Sequence, residues 1–92
     1  MLTAFVMINA EADKIAQVAQ AVANLPNVAE VYSVTGDSDI IAVVRLADYE
    51  QLADVVPEGL SRVPGVLRTN TVLAFRRFSA KDLAAAWDIG VS

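Results

Sequence analysis

Apolar residues fall along the chain in patterns that switch between the two regular periods. "LTAFVMINA", from residue 2 to 10, is apolar at almost every position and rich in β-formers, which predicts a strand. Ile15, Val18, Ala19, Val22 and Leu25 then recur at i, i+3, i+4 and i+7 spacing, with Asp13 in the first turn and Pro26-Asn27 as a stop, which predicts a helix. Residues 28–35 predict a second strand, 36–38 a tight turn, and 39–46 a third strand returning as a hairpin. Asp48 can cap a second helix carrying Leu52, Val55, Val56 and Leu60. Pro57 inside that helix removes a backbone donor and crowds the preceding turn, so a kink or restart is expected there. Pro64-Gly65 ends the segment, and residues 66–78 predict a long fourth strand. The final stretch, "FSAKDLAAAWDIG", offers Ser79 as N-cap, Asp82 at the capping-box position, Leu83 and Trp87 four apart and Gly90 as a stop, predicting a short C-terminal helix.

The order strand, helix, strand, strand, helix, strand contains a weak internal repeat. "LPNVAEVYSV" at 25–34 and "VPGVLRTNTV" at 63–72 share an apolar-Pro-[Asn/Gly]-Val junction, followed at equal offset by Ser33-Val34 or Thr71-Val72. Two βαβ halves with right-handed crossovers predict an α+β fold of the ferredoxin-like kind over residues 1–78, with 79–92 as a helical extension. In that fold two helices cover one face of a four-stranded antiparallel sheet. The other face would be bare, yet "IIAVV" in the third strand is apolar on both sides, and the first strand alternates Leu2, Ala4, Val6 and Ile8 with Phe5 and Met7. A monomer would expose more contiguous apolar surface than soluble monomers tolerate, so sheet-to-sheet dimerisation into a dimeric α+β barrel is expected.

Composition sharpens this picture. A chain of 92 residues makes one domain and buries only about 60 to 65% of its unfolded surface. Yet 55% of it is AVILMFWYC, above the roughly 45 to 50% of ordinary soluble domains, and the excess suits burial against another subunit. The net charge of -4, with seven basic residues, argues against direct binding of nucleic acid or of an anionic membrane. The first residues lack a basic region and their apolar run stops at Asn9, too short for a signal peptide or a span, so a cytoplasmic protein is expected. Without cysteine or histidine there is no disulfide, thiolate metal site or imidazole base.

The one polar interruption that asks for a chemical reading is Gly36-Asp37-Ser38-Asp39, between two apolar runs. Gly36 suits a positive φ in a hairpin. Asp37 and Asp39 either bond the backbone of the turn itself or accept the ammonium of a ligand. A metal is not expected, because a hard cation needs more oxygen ligands than this turn supplies. Thr69 and Thr71 share one face of the fourth strand, where β-branched residues also serve the strand itself. Arg68, Arg76 and Arg77 read as a solvated strand end or as partners for a neighbour's acids, and Leu83 with Trp87 as an amphipathic seam.

"VYSVTGDSDIIAVVRL" at 31–46, followed by "VPGVLRTNTVLAF" at 63–75, resembles the effector-sensing RAM domain of the Lrp/AsnC (feast/famine) transcription regulators. The valine-rich lead into a Thr-Gly-Asp-x-Asp turn, the apolar-Pro-Gly-Val junction and the Thr-x-Thr after it carry the likeness over about residues 2–78. Regulators of this family normally place a helix-turn-helix ahead of the sensing domain, whereas this chain begins at the first sensing strand and so reads as a stand-alone version without a DNA-binding domain. Pro57 and the C-terminal helix also depart from the pattern. The resemblance implies a homodimer formed through the sheet, a further ring of dimers (an octamer or similar), and a free amino acid bound between dimers near the turn. It also implies a full-length regulator of the family as a possible partner. In such a site Asp37 and Asp39 would accept the ammonium. Backbone N–H groups around Gly36 and the hydroxyls of Thr35, Thr69 and Thr71 would meet the carboxylate, and Tyr32 and Val34 would line the side-chain pocket. No cofactor is called for and no enzyme activity is expected. Two rivals share the topology: a dimeric α+β-barrel enzyme of the monooxygenase or isomerase type, and a ligand-free assembly module.

Overall fold

In the computed structural model, which describes residues 1–80, the elements run β1 (Leu2–Ala10), α1 (Ile15–Ala23), β2 (Val28–Ser33), β3 (Ile40–Leu46), α2 (Gln51–Val55), a 3-10 turn (Leu60–Arg62) and β4 (Val66–Leu73). The strands form one antiparallel sheet in the order β2-β3-β1-β4, the ferredoxin-like arrangement. The expected C-terminal helix, with Asp82, Leu83, Trp87 and Gly90, lies outside the described residues. Among the described residues no helix is long and apolar enough to cross a membrane.

The two-residue period of a strand divides the side chains between faces. Ala4, Val6, Ile8 and Ala10 of β1 and Ile40, Ala42, Val44 and Leu46 of β3 are buried against Val18 and Val22 of α1, Val55 of α2 and Leu60 of the 3-10 turn. That is the core. The opposite face carries Phe5 and Met7 of β1, Ile41, Val43 and Arg45 of β3, Glu30 and Tyr32 of β2, and Asn70 and Val72 of β4. Phe5, Tyr32 and Val72 are exposed there.

The internal repeat is real in three dimensions. Leu25-Pro26-Asn27-Val28 and Val63-Pro64-Gly65-Val66 each close an i to i+3 hydrogen bond, with proline second and a positive φ third, as a type II turn requires. The carbonyl of the third residue is pinned to a neighbouring chain segment in both cases: Asn27 O accepts from Arg45 N–H and Gly65 O from Glu11 N–H, each at 2.9 Å.

Three boundaries differ from the sequence expectation, while the break at Pro57 is as expected. The helix α1 starts at Ile15, so Asp13 lies in the turn before it rather than in its first turn. The second helical segment breaks at Pro57 into α2 and the 3-10 turn, as a proline there requires, with Asp48 Oδ1 accepting from Gln51 N–H at 3.2 Å. The β2–β3 connection is a six-residue loop, 34–39, rather than a tight turn, with Asp39 bonded both to Val34 and to β1. Finally, β4 stops at Leu73 and not at residue 78. The Ala74 N–H still reaches Thr3 O at 2.9 Å, one residue beyond the last residue of the strand.

Candidate functional site

The loop 34–39 projects from the end of the sheet at which β1 finishes and β4 starts. Val34 N–H bonds Asp39 O at 3.0 Å, closing the loop on itself. Asp39 also bonds to β1: its N–H donates to Ile8 O at 3.0 Å, and its Oδ2 accepts from Ala10 N–H at 2.9 Å. Asn9, between those two residues, donates from Nδ2 to Asp37 O at 2.8 Å. Its Oδ1 accepts from Arg68 Nε at 3.2 Å. The loop is thus tied to the last residues of β1 by three bonds, and Arg68 is tied to it through a single side-chain amide.

Gly36 stands at the tip with φ 108°, and a Cβ built there would meet nothing within 4 Å. Thr35, Gly36 and Asp37 are exposed, while Val34 and Asp39 are half-buried. One protomer therefore offers carboxylates, backbone donors and a guanidinium around an exposed tip. A carboxylate accepts several hydrogen bonds, so the Ala10 bond leaves Asp39 able to meet a cation as well. Among the described residues no group of three His, Cys, Asp or Glu is arranged to hold a metal ion.

The remaining candidates lie elsewhere. Tyr32 is on the open face, in the row Tyr32, Ile41, Met7, Asn70 that runs next to the row of Asn9 and Arg68. Its hydroxyl donates to Glu30 Oε2, and this hydrogen bond, reinforced by the carboxylate charge, holds the phenol above its ordinary titration range. Tyr32 also lines a cavity of about 570 Å³ with Phe5, Val43, Arg45, Phe75 and Phe78, at the end of the open face away from the loop. Thr69 and Thr71 stand opposite Ile8 and Val6, so they face the helices and not the open side. The Thr69 hydroxyl is 3.5 Å from that of Ser61, and Thr71 borders an open hollow of about 520 Å³ beside Leu52, Val56 and Pro57. Within one protomer the two threonines are thus separated by the sheet from Asn9 and Arg68. Asn9 and Arg68 are the site residues that sequence reasoning missed. The signal for Asn9 was a lone amide ending an apolar run; for Arg68 there was none without the β1–β4 register.

Comparison with known proteins places the chain in a family. The model described as the Lrp/AsnC ligand binding domain matches residues 3–83. A curated relative, an uncharacterized HTH-type transcriptional regulator of Pyrococcus furiosus, is 38% identical over 76 residues, covering 79% of this chain and 51% of its own. The chain spans about half the length of the curated relatives it matches. A crystal structure of a Thermus thermophilus protein superposes with a TM-score of 0.82 at 51% identity, covering 86% of this chain and 99% of that one. A feast or famine regulatory protein of M. tuberculosis, solved in complex with L-methionine, shares the fold with a TM-score of 0.72 at 24% identity, covering 87% of this chain and 54% of its own.

Proposed function

The chain belongs to the Lrp/AsnC ligand-binding domain family, and from that premise we propose that it is an amino-acid-sensing, oligomeric module of transcription regulation, acting in the cytoplasm and catalysing no reaction. The observation that carries this reading is the loop 34–39: an open tip with an exposed carboxylate, held in place by β1 yet unable to enclose a ligand alone. A second subunit completes it. The ammonium of a free amino acid is met by Asp37, with Asp39 beside it, and the carboxylate by backbone N–H groups near Gly36 and by Thr35. Val34 and Tyr32 would line the pocket for the effector side chain. Thr69 and Thr71, facing the helices, would join only from a neighbouring subunit.

The same reading takes the open face, with Phe5, Tyr32 and Val72 exposed, as the surface of the primary dimer and the loop tips as contacts between dimers in a ring. Any partner that reads DNA, such as a full-length regulator of the family, would engage this assembly.

The test is a panel of L-amino acids in thermal denaturation at rising concentration. A ligand that binds only the native state stabilises it by mass action, about 2.7 kcal/mol at a hundred times its Kd. The expected outcome is a concentration-dependent rise in Tm for a subset of the panel, weakened about tenfold to a hundredfold in affinity by Asp37→Ala, since a hydrogen bond to a charge contributes roughly 1.5 to 3 kcal/mol. A wild-type protein unmoved by every amino acid would overturn the reading.

A further inference from the structure

We propose that Arg68 joins the backbone N–H groups near Gly36 in binding the ligand carboxylate at this site; the inference rests on the amino-acid-binding reading above. Arg68 is exposed at the start of β4, and among the described residues no acidic side chain forms an ion pair with it. Its one recorded bond is through Nε to Asn9 Oδ1 at 3.2 Å. A guanidinium carries five donors in a planar fork, so that bond fixes the plane of the group while leaving the terminal nitrogens for a bidentate acceptor. Buttressed arginines of this kind suit planar carboxylates better than lysine does.

The other end of the Asn9 amide supplies the direction. Its Nδ2 donates to the main-chain carbonyl of Asp37 at 2.8 Å, so the Arg68 guanidinium and a loop carbonyl acceptor are held at the two ends of one O–C–N group. An α-amino acid presents the sequence O–C–Cα–N between carboxylate and ammonium, one bond longer and of matching polarity. Laid alongside Asn9, it sets its carboxylate toward Arg68 and its ammonium toward Asp37. The arrangement is specific for a zwitterion: a simple amine lacks the group Arg68 needs, and a simple carboxylate would meet Asp37 unfavourably. Asn9 is the positioning residue, acting through both partners without needing to touch the ligand.

The experiment compares the L-amino acid that gives the largest thermal shift with its primary amide, which keeps the ammonium and side chain and loses the carboxylate charge. Calorimetry on the wild type should show the amide binding about tenfold or more weakly. Arg68→Met should bind the free amino acid about tenfold more weakly and discriminate little between acid and amide, and Arg68→Lys should restore part of the preference. Unliganded melts of both variants should stay close to wild type, because Arg68 is exposed. If the wild type binds an amino acid and Arg68→Met keeps full affinity and full acid-over-amide preference, this assignment fails while the sensing function stands. If the wild type binds no amino acid, both fail together.

Discussion

Asn27 and Gly65 hold equivalent places in the two halves of the chain, both in the left-handed region, with φ of 71° and 99°. Asparagine tolerates that conformation and here adds a bond from Nδ2 to Arg45 O, whereas Gly65 is required twice over. A Cβ at Gly65 would approach Val18 Cγ2 to 2.8 Å, inside the core, while one at Gly36, at φ 108°, would meet open space. Backbone strain of about 1 to 2 kcal/mol is common to both positions. Gly65→Ala should therefore destabilise by about 1 kcal/mol or more beyond Gly36→Ala, the excess being the cost of overpacking against α1. Denaturant titration of the two variants at equal m-value measures the difference, and equal losses would show that Val18 yields without cost.

At the scale of elements, the β2–β3 loop is positioned less by its own hairpin than by β1. Asp39 supplies both its N–H and a carboxylate oxygen to the end of that strand. Asp39→Ala should leave the fold intact but cost about 1.5 kcal/mol, the scale of one hydrogen bond to a charged group. Hydrogen exchange at Ala10, which loses its acceptor, should accelerate more than exchange in mid-sheet; unchanged protection at Ala10 would refute the anchoring role. The elements themselves were legible because their periods were: 3.6 in α1, continuous apolar runs in β1 and β3, and proline punctuation before β2 and β4. The loop's anchoring was not legible, since Asn9, Asp39 and Arg68 are brought together only by strand register, which local patterning does not encode. The overlong fourth strand misled because residues 74–78 are apolar and basic enough for an edge strand, which composition cannot tell from the strand proper, whereas the ladder with β1 stops at Leu73. Turn chemistry pointed to Gly36, Asp37 and Asp39. It could not reveal that Thr69 and Thr71, the fourth and sixth residues of β4, register with the buried positions of β1.

For the whole molecule, one sheet face is sealed by helices and the other presents Phe5 between Val43 and Val72. If that face is the dimer surface, Phe5→Lys should weaken self-association at least tenfold, by burying a charge at its centre, while the isolated domain stays folded. Sedimentation at micromolar concentration checks this, and a wild-type protein that sediments as a folded monomer would contradict it. The strand order has another consequence. The halves β1-α1-β2 and β3-α2-β4 contribute two strands each, yet every hydrogen-bonded pair in the sheet, β2 with β3, β3 with β1 and β1 with β4, joins one half to the other. Neither half owns a sheet. A single peptide cleavage in the loop 34–39 would leave two pieces whose mutual recognition is the folding reaction itself. In that sense the domain is an obligate heterodimer written in one chain, and the loop that offers itself to a ligand is also the tether that sets the effective concentration of its two partners.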